Sequence, residues 1–286
     1  MIVAMPTLLA PDGTSLHYDT AGDPALPVLL LLAGGPGMDP RYLGDLGGLS
    51  RYRRLVRLHA RATGLSAVPE SRASCGFAAQ AADVEALRER LGLDRFDLLA
   101  HSAGALVAQA YAAGRPGRVR RLVLVAPVGR AAREADETEI AAIRAARSGE
   151  PWYERARAAQ RALERDDLTP AEQRRFQARL LPFFWGTWDE GLRASQYSAD
   201  LVPPRPWIRD AFYTAPAAAP APADGPWPPT LVVAGGRDGM IGTAPARLVA
   251  AARPGAELHV LEDCGHRPWG EQPERFTALV EGFLSA

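Results

Sequence analysis

Through residues 1–127, short apolar runs alternate with amphipathic stretches. Residues 28–33 are an unbroken series of Val, Leu and Ala, the composition of a strand covered on both faces. Leu55, Val56 and Leu58 predict the next strand, and residues 15–20 a short entry ribbon ahead of both. Over residues 80–91, Ala81, Val84, Leu87 and Leu91 share one helical stripe, with Asp83, Glu85, Arg88 and Glu89 outside it. Residues 96–100 then read as a strand, 103–113 as a helix ended by Gly114 with Pro116 just beyond, and 122–126 as a further strand. Strands alternating with helices predict an α/β fold: a mostly parallel central sheet flanked by helices.

The pattern changes from residue 128 to about 226, where Ala- and Arg-rich helical stretches replace the buried strands. One helix start is well marked: Thr169, Pro170, Ala171 and Glu172 supply a capping box with proline at the first helical position. Six of the fifteen residues from 215 to 229 are proline and most others alanine, which predicts an extended, semi-rigid strap. Core structure resumes with a strand at 230–234, a helix at 244–252, a strand at 257–261 and a closing helix at 273–284. The expected organisation is a core in two parts, 1–127 and 229–286, with an inserted helical lid over 128–228.

The chain has 286 residues, with 33 basic residues, all arginine, against 33 acidic ones, for a formal net charge of zero. No broad field draws it to nucleic acid or an anionic membrane, so the expected partner is a small molecule or short peptide; oligomeric state is not legible. Cys75 and Cys264 are the only cysteines, too few for a disulfide framework, and read as free thiols. The first ten residues are apolar but contain Pro6, lack a basic start and run into a turn, so a cytoplasmic protein is expected. No apolar run approaches the roughly 18 to 20 residues that span a bilayer. The five histidines show no paired metal-binding spacing, and residues 34–37 lack the Lys-Ser/Thr of a phosphate loop; no cofactor and no metal are expected.

Acyl transfer needs an activated nucleophile, a base and donors for the oxyanion. Ser102 lies in Ala100-His101-Ser102-Ala103-Gly104, between strand and helix, where a sharp turn lifts a side chain above the sheet edge. The pattern for such an elbow is G-x-S-x-G, from which Ala100 departs; alone, such a serine reads as an ordinary helix cap, and the strand before it, the helix after it and its partners reverse that preference. Acid and base follow such a serine in that order, leaving His259 and His266 as bases. His259 falls inside the strand at 257–261 and reads as a strand histidine, whereas His266 lies in a loop after the last strand. Asp238 ends the turn after the strand at 230–234 and is the expected acid; Asp263, three residues before His266, is the runner-up. The loop Gly34-Gly35-Pro36-Gly37 would supply oxyanion donors, Gly35 first, together with the amide of Ala103.

These residues resemble the α/β-hydrolase superfamily and, within it, the proline iminopeptidase-like branch (serine peptidase family S33). Gly34-Gly35-Pro36-Gly37 resembles that branch's H-G-G-P-G, residues Arg61 to Ser66 its R-G-x-G-x-S, and the elbow and the Asp238/His266 pair follow at similar places. Ala33, His59 and Ala100 depart from the branch's usual His, Asp and Gly. The resemblance implies a serine hydrolase of a small ester or amide acting through an acyl-enzyme, with removal of an N-terminal proline as the first substrate expectation. A small-molecule esterase, or a cyclase or lyase of a biosynthetic pathway on the same fold, is the alternative. In such aminopeptidases lid carboxylates hold the substrate amine, and residues 185–191 resemble the W-x-x-W-E-G segment carrying one of them. The resemblance thus implies Gly34, Trp185, Trp188 and Asp189 or Glu190 as substrate-binding residues. A second acidic site would fall near Asp210, where Arg209 would repel an ammonium. Phe183, Phe184, Trp185 and Trp188 either line a lid pocket or only pack the lid.

Overall fold

The computed structural model describes residues 6–128, 135–189, 191, 200–214 and 227–286. Among them, the strands are β1 (Thr7–Leu9), β2 (Ser15–Ala21), β3 (Val28–Leu32), β4 (Arg54–Leu58), β5 (Phe96–His101), β6 (Val119–Val125), β7 (Thr230–Gly235) and β8 (Glu257–Leu261). They form one sheet in the order β1-β2-β4-β3-β5-β6-β7-β8. β2 pairs antiparallel with β1 and β4, and every pairing from β4 to β8 is parallel. The helices are α1 (Phe77–Arg90), α2 (Gly104–Gly114), α3 (Glu137–Ala145), α4 (Tyr153–Ala162), α5 (Pro170–Arg179), α6 (Ile208–Thr214), α7 (Ala244–Ala251), α8 (Pro268–Glu271) and α9 (Pro273–Ser285). None of the described helices is long and apolar enough to cross a membrane.

The continuous apolar strands follow from burial on both faces. Leu30, Leu32, Leu98, Ala100, Leu122 and Leu124 pack on one side with Val84, Leu106 and Ala246 of α1, α2 and α7. Their alternating neighbours Leu29, Leu31, Leu99, Val123 and Val125 pack on the other with Leu43 and with Phe276 and Val280 of α9. A period of two thus divides the same strands between two apolar layers. Because these strands are parallel, the loops after β3, β5, β7 and β8 all emerge at one edge of the sheet, where ligands bind in open α/β sheets.

Between β6 and β7 the described residues form α3 to α6 and no strand. The capping box starts α5: the Glu172 amide donates to Thr169 Oγ1 at 3.3 Å, and the Thr169 amide to Glu172 Oε2 at 2.9 Å. Of the expected strap over 215–229, residues 215–226 lie outside the described residues.

Helix α1 corrects one expectation. Asp83, placed outside the apolar stripe, is 1% exposed, because a cation waits on the neighbouring segment: Arg61 Nε and Nη2 each donate to its carboxylate at 2.6 Å. Arg61 also bonds Asp12, which ties the first turn, the loop after β4 and α1 together. Within the same loop His59 Nε2 pairs with Asp19 Oδ2 at 2.9 Å and Ser66 Oγ donates to the His59 carbonyl at 2.6 Å. The Arg61–Ser66 motif is therefore a fastening between the ribbon and the sheet.

Breaking a buried, bidentate pair by removing one partner strands the other charge. Asp83→Asn should lower unfolding free energy by about 3 kcal/mol in urea titrations, whereas Asp12→Asn, on the half-exposed partner, should cost about 1 kcal/mol or less.

Candidate active site

Strand β5 ends at His101, and Ser102 turns the chain with φ +52°, the left-handed region that a residue with a Cβ enters at a cost of about 1 to 2 kcal/mol. The neighbouring backbone holds it there: its amide donates to the Val125 carbonyl at 2.9 Å and its carbonyl accepts from Ala105. Gly104 explains the need for a small residue after the serine, since a Cβ there would lie 2.5 Å from the Ala33 oxygen and 2.8 Å from the Leu32 oxygen. Ala100 sits inside β5 opposite Leu32 and Leu124, where its methyl joins the apolar layer, so the departure from glycine is absorbed.

The loop after β3 lies directly against this turn. A Cβ on Gly34 would stand 2.7 Å from Ser102 Cβ and 3.2 Å from His101 Nδ1. Gly35 has φ +127°, and among the described residues no acceptor takes the amide of Gly35 or of Ala103, the residue that caps the start of α2. Two uncommitted amides beside a raised serine form an anion-binding arrangement.

The turn after β7 carries Asp238, fully buried. Its Oδ1 accepts from the amides of Met240 and Ile241 at 2.9 and 3.2 Å, and its Oδ2 lies 2.6 Å from His266 Nδ1. A carboxylate accepts, so Nδ1 carries a proton, and in the neutral form of the ring Nε2 keeps its lone pair. The other two candidates are engaged elsewhere at the surface: His259 faces Glu257 at 3.7 Å and Asp263 bonds Arg237 at 2.9 Å. No direct hydrogen bond joins Ser102 Oγ to His266; the ring of His101, the residue before the serine, is centred 4.7 Å from that of His266.

Three polar residues at this edge had not been singled out in the sequence. His101 Nε2 lies 2.9 Å from the His266 carbonyl, Tyr42 Oη lies 2.5 Å from His101 Nδ1, and the Gly34 amide donates to Tyr42 Oη at 2.9 Å. Burial, reinforced by the nearby His266 and Arg267, holds the His101 imidazole well below the usual histidine range. Glu271 of α8 accepts from the amides of Gly265, Gly186 and Thr187 at 2.7, 2.7 and 3.1 Å, binding the inserted segment to the His266 loop. Burial outweighs these three donors and raises its carboxyl above the usual range. His101 was visible inside the elbow string, but nothing in the pattern of the chain marked Tyr42 or Glu271.

Of the aromatic residues expected over the serine, Phe183 and Trp188 pack with Trp152 in a cluster of their own. Trp185 is fully buried, with the Arg267 guanidinium 5.9 Å from its ring, and Phe184 stands 5.5 Å from the His266 ring. A cavity of about 30 Å³ lies at the site, walled in part by Gly34, Gly37, Ala103, Val107, Ile208 and Phe212; Trp185, Trp188 and Asp189 are not among its walls. Asp189 is exposed, and Glu190 lies outside the described residues.

A family model described as the alpha/beta hydrolase fold matches residues 27–270. The chain is 30% identical to a 2-hydroxymuconate semialdehyde hydrolase of Pseudomonas putida over 95% of this chain and 90% of that one. Similarity to a proline iminopeptidase of Lactobacillus delbrueckii subsp. lactis, 34% identical, spans 34% of each chain. The enol-lactonase structure from Burkholderia xenovorans LB400 superposes with a TM-score of 0.68 at 25% identity, over 98% of this chain and all of that one.

The buried neutral His101 has a thermodynamic consequence. The unfolded chain binds a proton here near pH 6.5 and the folded chain does not, so stability rises with pH through this window and is lost as pH falls below about 6.5, by up to about 1.4 kcal/mol per pH unit. Denaturant titrations between pH 7 and 5 should show that slope, and His101→Gln should flatten it.

Proposed function

The chain belongs to the alpha/beta hydrolase fold family, and on that footing we propose that it is a serine hydrolase of small esters, with Ser102 the nucleophile, His266 the general base and Asp238 the acid that orients the base. The observation that carries this reading is the 2.6 Å His266–Asp238 bond at the same sheet edge as a serine held at φ +52°. Ser102 Oγ attacks the ester carbonyl while His266 Nε2 takes its proton, and Asp238, locked by two amides, stabilises the imidazolium. The amides of Gly35 and Ala103 donate to the oxyanion. His266 passes the proton to the departing alkoxide, and water, activated in the same way, releases the acyl group.

In this reading the inserted helices are a lid over the site. α6 walls the cavity, with Ile208 so close to the glycine loop that a Cβ on Gly37 would lie 2.6 Å from its Cγ2. A small substrate fits the relatives matched over nine-tenths or more of their length, which are named for a semialdehyde and an enol-lactone. Ester cleavage is preferred over removal of an N-terminal proline because the likeness to a proline iminopeptidase spans only 34% of the chain. Nor does Asp189, the described carboxylate of the segment expected to grip an amine, line the cavity beside Gly34 and Ala103.

Short-chain p-nitrophenyl esters and prolyl p-nitroanilide, assayed in parallel with wild type and Ser102→Ala, test the assignment. The esters should turn over and the prolyl amide should not, with Ser102→Ala slower by at least about a thousandfold. Cleavage of the prolyl amide would restore the aminopeptidase reading, and failure of both substrates would remove general hydrolysis.

A further inference from the structure

With the His101 ring neutral, the hydrogen bonds around it run in one set of directions. The His266 carbonyl can only accept, so His101 Nε2 must carry the proton of the 2.9 Å bond between them. A neutral imidazole with its proton on Nε2 offers a lone pair at Nδ1, so the Tyr42 hydroxyl donates across the 2.5 Å contact. That leaves the Tyr42 oxygen to accept the Gly34 amide at 2.9 Å. Each polar atom in the series then has a partner, and the two side chains lie in the interior: Tyr42 is 3% exposed and His101 2%. Aromatic contacts fix the two rings as well, with Trp269 edge-on to His101 at 4.8 Å and Arg267 over the Tyr42 ring at 4.5 Å.

The series joins three separate pieces of chain. Gly34 precedes the Gly35 amide on the loop after β3, His101 precedes Ser102, and the last acceptor is the backbone of His266 itself. We propose that Tyr42 and His101 are positioning residues which hold the Gly35 amide and the His266 ring in register with Ser102, through a relay that requires the neutral Nε2–H form of His101. The proposal rests on the serine hydrolase reading above. A second proton on His101 would take away the lone pair that accepts the Tyr42 hydroxyl and put a cation beside the imidazolium that His266 becomes during the reaction. Neither Tyr42 nor His101 touches the substrate carbonyl; each acts through a backbone amide or carbonyl of a residue next to the reacting groups.

Two variants break the relay. Tyr42→Phe removes the hydroxyl and keeps the ring, while His101→Phe keeps a ring and removes both the donor to the His266 carbonyl and the acceptor for Tyr42. In Ser102-dependent ester hydrolysis each should lower kcat by about 10- to 100-fold, the size of effect expected when a reacting group is misplaced by about an ångström, with KM within about twofold. The double variant should be no slower than the slower single one, because both break the same link. Independently of turnover, the imidazole ¹⁵N spectrum of the wild type should show His101 neutral and protonated on Nε2 at pH 7, with the Nδ1 resonance moving in Tyr42→Phe. A His101 protonated on Nδ1 overturns the relay whatever the enzyme does. So does an active wild type whose Tyr42→Phe variant keeps kcat, or loses only KM. A wild type with no Ser102-dependent turnover instead overturns the hydrolase reading, and the catalytic role of the relay with it.

Discussion

Helix α2 leaves strand β5 so close to the end of β3 that a methyl group at Gly104 would lie 2.5 Å from a β3-loop carbonyl oxygen. This approach of two backbones sets the geometry of the whole edge. It forces the intervening residue, Ser102, into a left-handed conformation and aims the first amides of α2 at the space above it. It also brings the glycine loop near enough that Gly34 has no room for a side chain. A turn of that kind stores strain of about 1 to 2 kcal/mol, which the surrounding parallel ladder and its two apolar layers hold in place.

Around that edge, two carboxylates and a tyrosine–histidine pair are held by hydrogen bonds. Asp238 gives one oxygen to two amides of its own turn and the other to His266. Glu271 is ringed by three amides drawn from two segments. Tyr42 and His101 connect the loops on either side of the serine. Each such group stabilises one arrangement of loops over others, because a shifted loop would leave a buried donor or acceptor unpaired, at about 1 to 3 kcal/mol apiece. The sheet supplies the platform, and these bonds set the register of what stands on it.

Much of this was legible from the chain alone. Buried parallel strands show themselves as continuous apolar runs, so 28–33, 96–100 and 230–234 could be read directly, and the elbow, the turn after β7 and the loop after β8 followed from their order. What escaped were interactions between residues distant in sequence. Helical periodicity put Asp83 outside the apolar stripe, since a period of 3.6 has no means of registering Arg61 on another segment. Ala100 looked like a weakness in the elbow until its place inside β5 showed that the approach is made two residues after the serine rather than two before. The aromatic residues of the inserted segment were equally suited to a pocket or to packing, and Phe183 and Trp188 took the second course against Trp152. Tyr42 had no local signal because its role depends on a histidine 59 residues away.

The central claim is that the backbone turn at Ser102 presents its hydroxyl to a carbonyl whose oxygen faces the amides of Gly35 and Ala103. A crystal structure of the protein after reaction with a small alkyl fluorophosphonate tests it most directly, because the tetrahedral phosphorus takes the place of the carbonyl carbon under attack. The account predicts a bond from phosphorus to Ser102 Oγ, with the phosphoryl oxygen about 2.7 to 3.1 Å from both amide nitrogens and His266 Nε2 turned toward Oγ. An adduct on another residue, or a phosphoryl oxygen pointing away from those two amides, would contradict it.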